Sequence, residues 1–166
     1  MVVFESLLEK IGNRAAKVGV VGLGYVGLPL SVTIAKAGFQ VIGIDVSEER
    51  VNQVKNGVSY ITDLPSETLA PLVQREMIQA TTDVSVLNKL DTINICVPTP
   101  LGKSKSPDIS YVMKAVGGVV SHLHPGQLII LESTTYPGAT EEAVLPQLEE
   151  TGLKVGEDFF LAFSPE

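Results

Sequence analysis

Three glycines, a carboxylate and a threonine framed by prolines are the residues whose types and spacing imply chemistry. Gly22, Gly24 and Gly27 stand in the stretch KVGVVGLGYVGLPL (17–30) as G-x-G-x-x-G. In that spacing the first glycine permits a tight turn and the second lets backbone approach a pyrophosphate. The third lets a helix pack closely on the preceding strand, and the N–H groups at the helix start then face the phosphates. Asp45 closes the next apolar run, QVIGID, where a carboxylate accepts hydrogen bonds from an adenosine ribose. The plainer reading makes the glycines a turn and Asp45 a helix N-cap.

The chemistry so described is dinucleotide binding. An acid at position 45 repels a 2′-phosphate, so NAD is favoured over NADP. Candidate cofactor contacts are Gly22, Leu23, Gly24, Tyr25, Val26 and Gly27 in the loop, followed by Asp45, Val46 and Arg50. Arg50 lies a helical turn beyond the acid and is expected along the adenosine. Val97, Pro98 and Thr99 follow a later apolar run in CVPTPLGKSKSPD. Prolines on both sides of Thr99 restrict its backbone, which suits a held ligand contact or simply a rigid loop. GKSKS reads as solvated, with reach over a phosphate as the second reading. Ser133, Thr134 and Thr135 stand in ESTTYPGAT, where hydroxyls are able to cap the next helix.

These residues need elements to position them. Short Val/Ile/Leu-rich runs at 17–22, 40–45, 92–97, 127–132 and 159–164, with a weaker one at 77–81, read as strands. Between them lie helical patterns at 25–37, at 47–56 with Ser47 as N-cap, from Ser66, after Asp83, over 110–123, and from Thr140. Alternating buried strands and helices predict a parallel sheet covered on both faces. The expected fold is therefore α/β, a Rossmann-type doubly wound sheet of about six strands in the order 3-2-1-4-5-6. Residues 1–166 read as a single domain, with 1–14 as an N-terminal helical extension. One oddity remains. A helix under way by Tyr25 places Pro29 just past its first turn, where proline is unwelcome.

Composition excludes several classes. Twelve Lys and Arg against 19 Asp and Glu, a net charge of −7, argue against a nucleic-acid surface. No apolar run approaches the about 20 residues of a membrane span, and the N-terminus lacks a signal-peptide core. With one cysteine, Cys96, the expected setting is the cytoplasm. Cys96 lies within an apolar run and reads as a buried thiol. His122 and His124 have no ligand cluster of metal spacing, so no metal is expected.

GLGYVGLPL, DVSEER (45–50), CVPTP (96–100), STTYPG (133–138) and FSPE (163–166) together resemble the N-terminal NAD-binding domain of the UDP-glucose/GDP-mannose dehydrogenase family. The likeness is greatest to the UDP-N-acetylglucosamine 6-dehydrogenase branch. The resemblance implies oxidation of the C6 alcohol of a UDP-sugar to a carboxylate with two NAD. By alignment on the proline of STTYPG, Thr135 matches a threonine that orients a water or the reacting sugar. Ser133 and Thr134 then fall beside the nicotinamide, and Glu166 matches a glutamate acting near C6. The family's catalytic lysine, asparagine, cysteine and aspartate match nothing within these 166 residues. The chain is therefore expected to be part of a longer enzyme, to bind NAD without turnover, and to be mostly monomeric, the whole enzyme being a homodimer or higher. Two alternatives remain: the cofactor domain of a β-hydroxyacid dehydrogenase, and a non-catalytic NAD-binding module.

Overall fold

The computed structural model describes residues 2–101 and 107–165; the GKSKS segment and Glu166 lie outside the described residues. Six strands, β1 (Lys17–Val21), β2 (Gln40–Ile44), β3 (Ile78–Thr81), β4 (Thr92–Ile95), β5 (Leu128–Leu131) and β6 (Phe160–Phe163), form one sheet. Its order is β3-β2-β1-β4-β5-β6 and every neighbouring pair is parallel. This is the doubly wound Rossmann-type sheet that the alternating apolar runs predict.

Both faces are covered because the runs carry apolar residues on both sides of the pleat. Val18 and Val20 of β1 pack into a core with helix α2 (Gly27–Lys36), α3 (Glu48–Lys55) and α4 (Ser66–Gln74). Ile93 and Ile95 of β4, with Ile129 and Leu131 of β5, build the core on the other face with α5 (Ser110–Val120). The register places Val18 beside Thr92 and Gly19 beside Ile93, so the two cores lie on opposite sides of the sheet. The N-terminal helix α1 (Val2–Gly12) docks by an edge-to-face contact of Phe4 with Phe160, centroids 5.5 Å apart. Its Lys10 Nζ also reaches Asp91 Oδ1 at 2.6 Å.

Three departures from expectation have local causes. Helix α2 begins at Gly27 rather than Tyr25, which puts Pro29 within its first turn, where proline is tolerated, between the bonds from Leu28 N to Gly24 O and from Leu30 N to Val26 O. That accounts for Pro29. The segment after Asp83 is a 3-10 turn, Val84–Lys89, capped by Asp83 Oδ1 accepting from Ser85 N at 2.9 Å. The last helix is split into a wide π turn, Thr140–Val144, and a short α6 (Leu145–Glu149). Pro146, with no N–H to donate, stands at the second residue of α6.

Every strand except β3 also stops before its apolar run does. Gly22, Asp45, Val97 and Ser133 therefore leave the sheet together at the carboxyl ends of β1, β2, β4 and β5. One buried side chain fixes the wall beneath them. Gln127, fully buried, donates through Nε2 to the carbonyls of Leu87 and Leu90 at 2.8 Å each. Its Oε1 accepts from His124 N at 3.1 Å. Gln127→Leu keeps the volume but strands these groups, so it is expected to destabilise the domain by about 2–4 kcal/mol. Urea unfolding measures this, and an unchanged midpoint counts against the pin.

Candidate functional site

Asp45 is the centre of the site. Its side chain is only 5% exposed, and both carboxylate oxygens are engaged by backbone. Oδ2 accepts from Leu23 N at 2.8 Å and Oδ1 from Ser47 N at 2.9 Å. Arg50 Nη1 stands 3.6 Å from Oδ2. The cap of α3 is Ser47, whose Oγ accepts from Arg50 N at 3.3 Å. Asp45 is therefore not the helix cap. It ties the glycine loop to the end of β2 while facing a cleft.

The three glycines have three separate reasons to be glycine. Gly22 has φ +95°, and a Cβ there would run into the Cys96 carbonyl. A Cβ on Gly27 would collide with the carbonyl of Gly22, so this glycine sets how closely α2 packs on β1. A Cβ on Gly24 would meet no protein atom within 4 Å; the space it would fill belongs to the cleft. No side chain caps the start of α2, and its first turn carries no acid. Its positive end is open.

The cleft measures about 710 Å³. One side is built from Gly22, Gly24, Tyr25 and Val26 of the loop, with Asp45, Val46 and Arg50. Val97, Pro98, Thr99, Ser133 and Thr134 also line the cleft. Tyr25 is 78% and Val46 89% exposed, so both stand ready to be covered. The Ser133 hydroxyl is already occupied, accepting from Val97 N at 3.0 Å and lying 2.8 Å from Val97 O. It staples the loop after β4 to the loop after β5.

Three predicted site residues do not reach the cleft wall. Leu23 is fully buried, its side chain against Gly43, because its own N–H is drawn inward to Asp45. Gly27 lies beneath the loop. Thr135 Oγ1 is buried with no hydrogen-bond partner among the described residues. Glu166 lies outside those residues.

Sequence reasoning missed part of the cleft lining. Val84 and Leu87 of the 3-10 turn and Tyr111, Lys114, Ala115 and Gly118 of α5 belong to it. The signal was available: Ala115 and Gly118 are spaced i, i+3, off the apolar stripe of Val112, Val116 and Val119. A Cβ on Gly118 would meet nothing within 4 Å, so the small residues Ala115 and Gly118 leave cleft space beside α5 open. Tyr60 was missed as well. Its hydroxyl donates to the Leu23 carbonyl at 2.6 Å, and the Arg50 guanidinium lies 5.8 Å over its ring. Burial pushes the phenol up to about 12, the Asp45 charge adding and Arg50 opposing, so it remains a donor at neutral pH.

An open helix start, an unfilled Cβ position at Gly24, a nearly buried carboxylate and open cleft space beside α5 fit a dinucleotide. The comparisons agree. Residues 16–166 match the model of the UDP-glucose/GDP-mannose dehydrogenase family, NAD binding domain. The UDP-N-acetyl-D-glucosamine 6-dehydrogenase of Pseudomonas aeruginosa is 39% identical over 151 residues, covering 90% of this chain and 35% of that protein. The UDP-N-acetyl-D-mannosamine dehydrogenase of Pyrococcus horikoshii is 34% identical, covering 90% of this chain and 36% of that protein. The crystal structure of NDP-N-acetyl-D-galactosaminuronic acid dehydrogenase from Methanosarcina mazei Go1 superposes with TM-score 0.87 at 35% identity. It covers 98% of this chain and 37% of that one. The chain thus spans about a third of the length of these relatives.

The glycine geometry separates two variants. Gly24→Val is expected to leave the melting temperature nearly unchanged and weaken NAD+ at least about 100-fold, because its side chain fills only ligand space. Gly27→Ala is expected to cost about 3 kcal/mol of stability by overpacking α2 on the loop. Calorimetric titration and thermal melting of both variants read the difference; a Gly24→Val domain that binds NAD+ normally reduces the loop to a turn.

Proposed function

The chain belongs to the UDP-glucose/GDP-mannose dehydrogenase family and carries its NAD-binding domain; from that premise we propose that it is the cofactor half of an enzyme oxidising the C6 alcohol of a UDP-sugar to a carboxylate. The proposed sugar is UDP-N-acetylglucosamine, supported by the LESTTYPGATEE and FSPE stretches and by the 39% identical Pseudomonas relative. The observation that carries the cofactor assignment is Asp45, a carboxylate held at the cleft by two backbone N–H groups.

Within this reading each residue has a task. Gly24 and the open start of α2 take the pyrophosphate, whose charge the helix end complements. Asp45 accepts the adenosine ribose hydroxyls, and Arg50 lies alongside. Val84, Leu87, Ala115 and Gly118 would hold the adenine. Thr99 and Thr134 border the nicotinamide end. Thr135 orients water or the sugar, and Glu166 acts in the acyl-transfer or hydrolysis step near C6. NAD, when bound, would supply the hydride acceptor, one molecule for each of the two oxidation steps. The nucleophile and base of the thiohemiacetal chemistry are assigned to the longer protein, since this chemistry needs both in one site. Cys96, buried under the glycine loop, is not that nucleophile. The proposed setting is the cytoplasm, with this domain monomeric and the whole enzyme a homodimer or higher.

Two measurements test the proposal. Calorimetry on the wild-type domain is expected to show NAD+ binding with NADP+ markedly weaker. Asp45→Ala is expected to lose about 1.5–3 kcal/mol of NAD+ affinity; equal affinity for both cofactors sinks the assignment. NADH formation with UDP-N-acetylglucosamine, UDP-glucose and UDP-N-acetylgalactosamine is expected to be absent for these 166 residues and present for the longer enzyme. Sustained turnover by the 166-residue chain contradicts the proposed division of labour.

A further inference from the structure

We propose that Tyr60 is a positioning residue of the cofactor site, its hydroxyl turning the Gly24 N–H toward the pyrophosphate; this rests on the NAD-binding reading above. Tyr60 lies between α3 and α4, in SYIT, a stretch with no binding motif. Its ring is half-buried and packs against the core on the α2 face. Packing alone needs no hydroxyl there. Yet that hydroxyl reaches back 37 residues to the Leu23 carbonyl, at 2.6 Å.

The consequence follows from peptide geometry. The Leu23 carbonyl and the Gly24 N–H belong to one planar trans peptide, so they point in opposite directions. Tyr60 draws the carbonyl toward the core side of the loop. The Gly24 N–H is thereby turned the other way, at the residue that lines the cleft and leaves space beside its Cα. The preceding peptide is fixed by the same logic. Leu23 N–H is held by Asp45 Oδ2 at 2.8 Å, and the Gly22 carbonyl turns toward Gly27, against which it packs. Leu23 is therefore gripped at both its polar groups, one by Asp45 and one by Tyr60. A loop so held meets a phosphate with its donor already aimed, which removes an ordering cost from binding. Tyr60 has a second role through its face. The Arg50 guanidinium sits 5.8 Å from the ring centroid and 3.6 Å from Asp45, so the ring keeps Arg50 beside the carboxylate.

Tyr60→Phe separates the hydroxyl from the ring. It retains core packing and the platform for Arg50, and loses only the grip on Leu23. The expected result is a modest drop in the melting temperature of the free domain, because the Leu23 carbonyl loses its donor, with affinity for NAD+ and for ADP-ribose falling together by about 3- to 10-fold. Adenosine, followed by NMR titration, is expected to bind the variant as it binds wild type, because it carries no pyrophosphate. A purely structural role for Tyr60 lowers all three affinities in step and overturns the proposal, as does a Tyr60→Phe domain that binds NAD+ like wild type. Failure of wild type itself to bind NAD+ removes the underlying reading instead, and the proposal with it. Should Tyr60→Phe not fold, wild type still answers: on NAD+ binding the Gly24 amide proton is expected to move downfield, with the Tyr60 ring signals shifting in the same titration. Absence of a shift at Gly24 overturns the proposal.

Discussion

The hydrogen bond from the Leu23 N–H to the buried carboxylate of Asp45 is the interaction on which the rest of the site depends. Burying a carboxylate is unfavourable unless donors replace its water. Here two backbone N–H groups and a nearby guanidinium do so, and charge-assisted bonds of this kind are among the stronger ones. The same bond joins the loop after β1 to the loop after β2. It turns the Leu23 side chain into the core and leaves Gly24 facing the cleft. One residue thus shapes the glycine loop and presents a carboxylate to the ligand space beside it.

The sheet makes that arrangement possible. β1 lies between β2 and β4, so the chain leaves in opposite directions from the two neighbours and a cleft opens between their loops, as expected at a switch point of a doubly wound sheet. Gly22 rests directly on the Cys96 carbonyl, which joins the loop after β1 to the loop after β4. Ser133 continues the chain of contacts to β5 through Val97. Residues of α5 and of the 3-10 turn also line the cleft, and Gln127 bonds the carbonyls of Leu87 and Leu90 in and just after that turn.

Much of this was legible in the residues. The six strands, their order, the Ser47 cap and the packing role of Gly27 followed from periodicity and from steric rules that act over a few residues. What escaped depends on distant contacts or on direction within loops. Leu23 stands inside the glycine motif and reads as a ligand contact, yet its side chain turns inward because Asp45, from the next strand, takes its N–H. Tyr60 carries no local pattern; its significance appears only when the chain after α3 returns to the loop after β1. The start of α2 lies two residues later than periodicity indicates, because Pro29, with no N–H, interrupts the run of bonds between Leu28 N→Gly24 O and Leu30 N→Val26 O. Thr135 was placed by resemblance alone, and the fold buries its hydroxyl where no local pattern in the sequence indicates it.

The most direct test of this account is the structure of the chain crystallised with NAD+. The account predicts the adenosine ribose hydroxyls on the Asp45 carboxylate, the pyrophosphate over Gly24 at the start of α2, and the adenine between Val84 and Gly118, with the Tyr60–Leu23 bond retained. A dinucleotide bound elsewhere, or one whose ribose turns away from Asp45 while its phosphates miss Gly24, would contradict it.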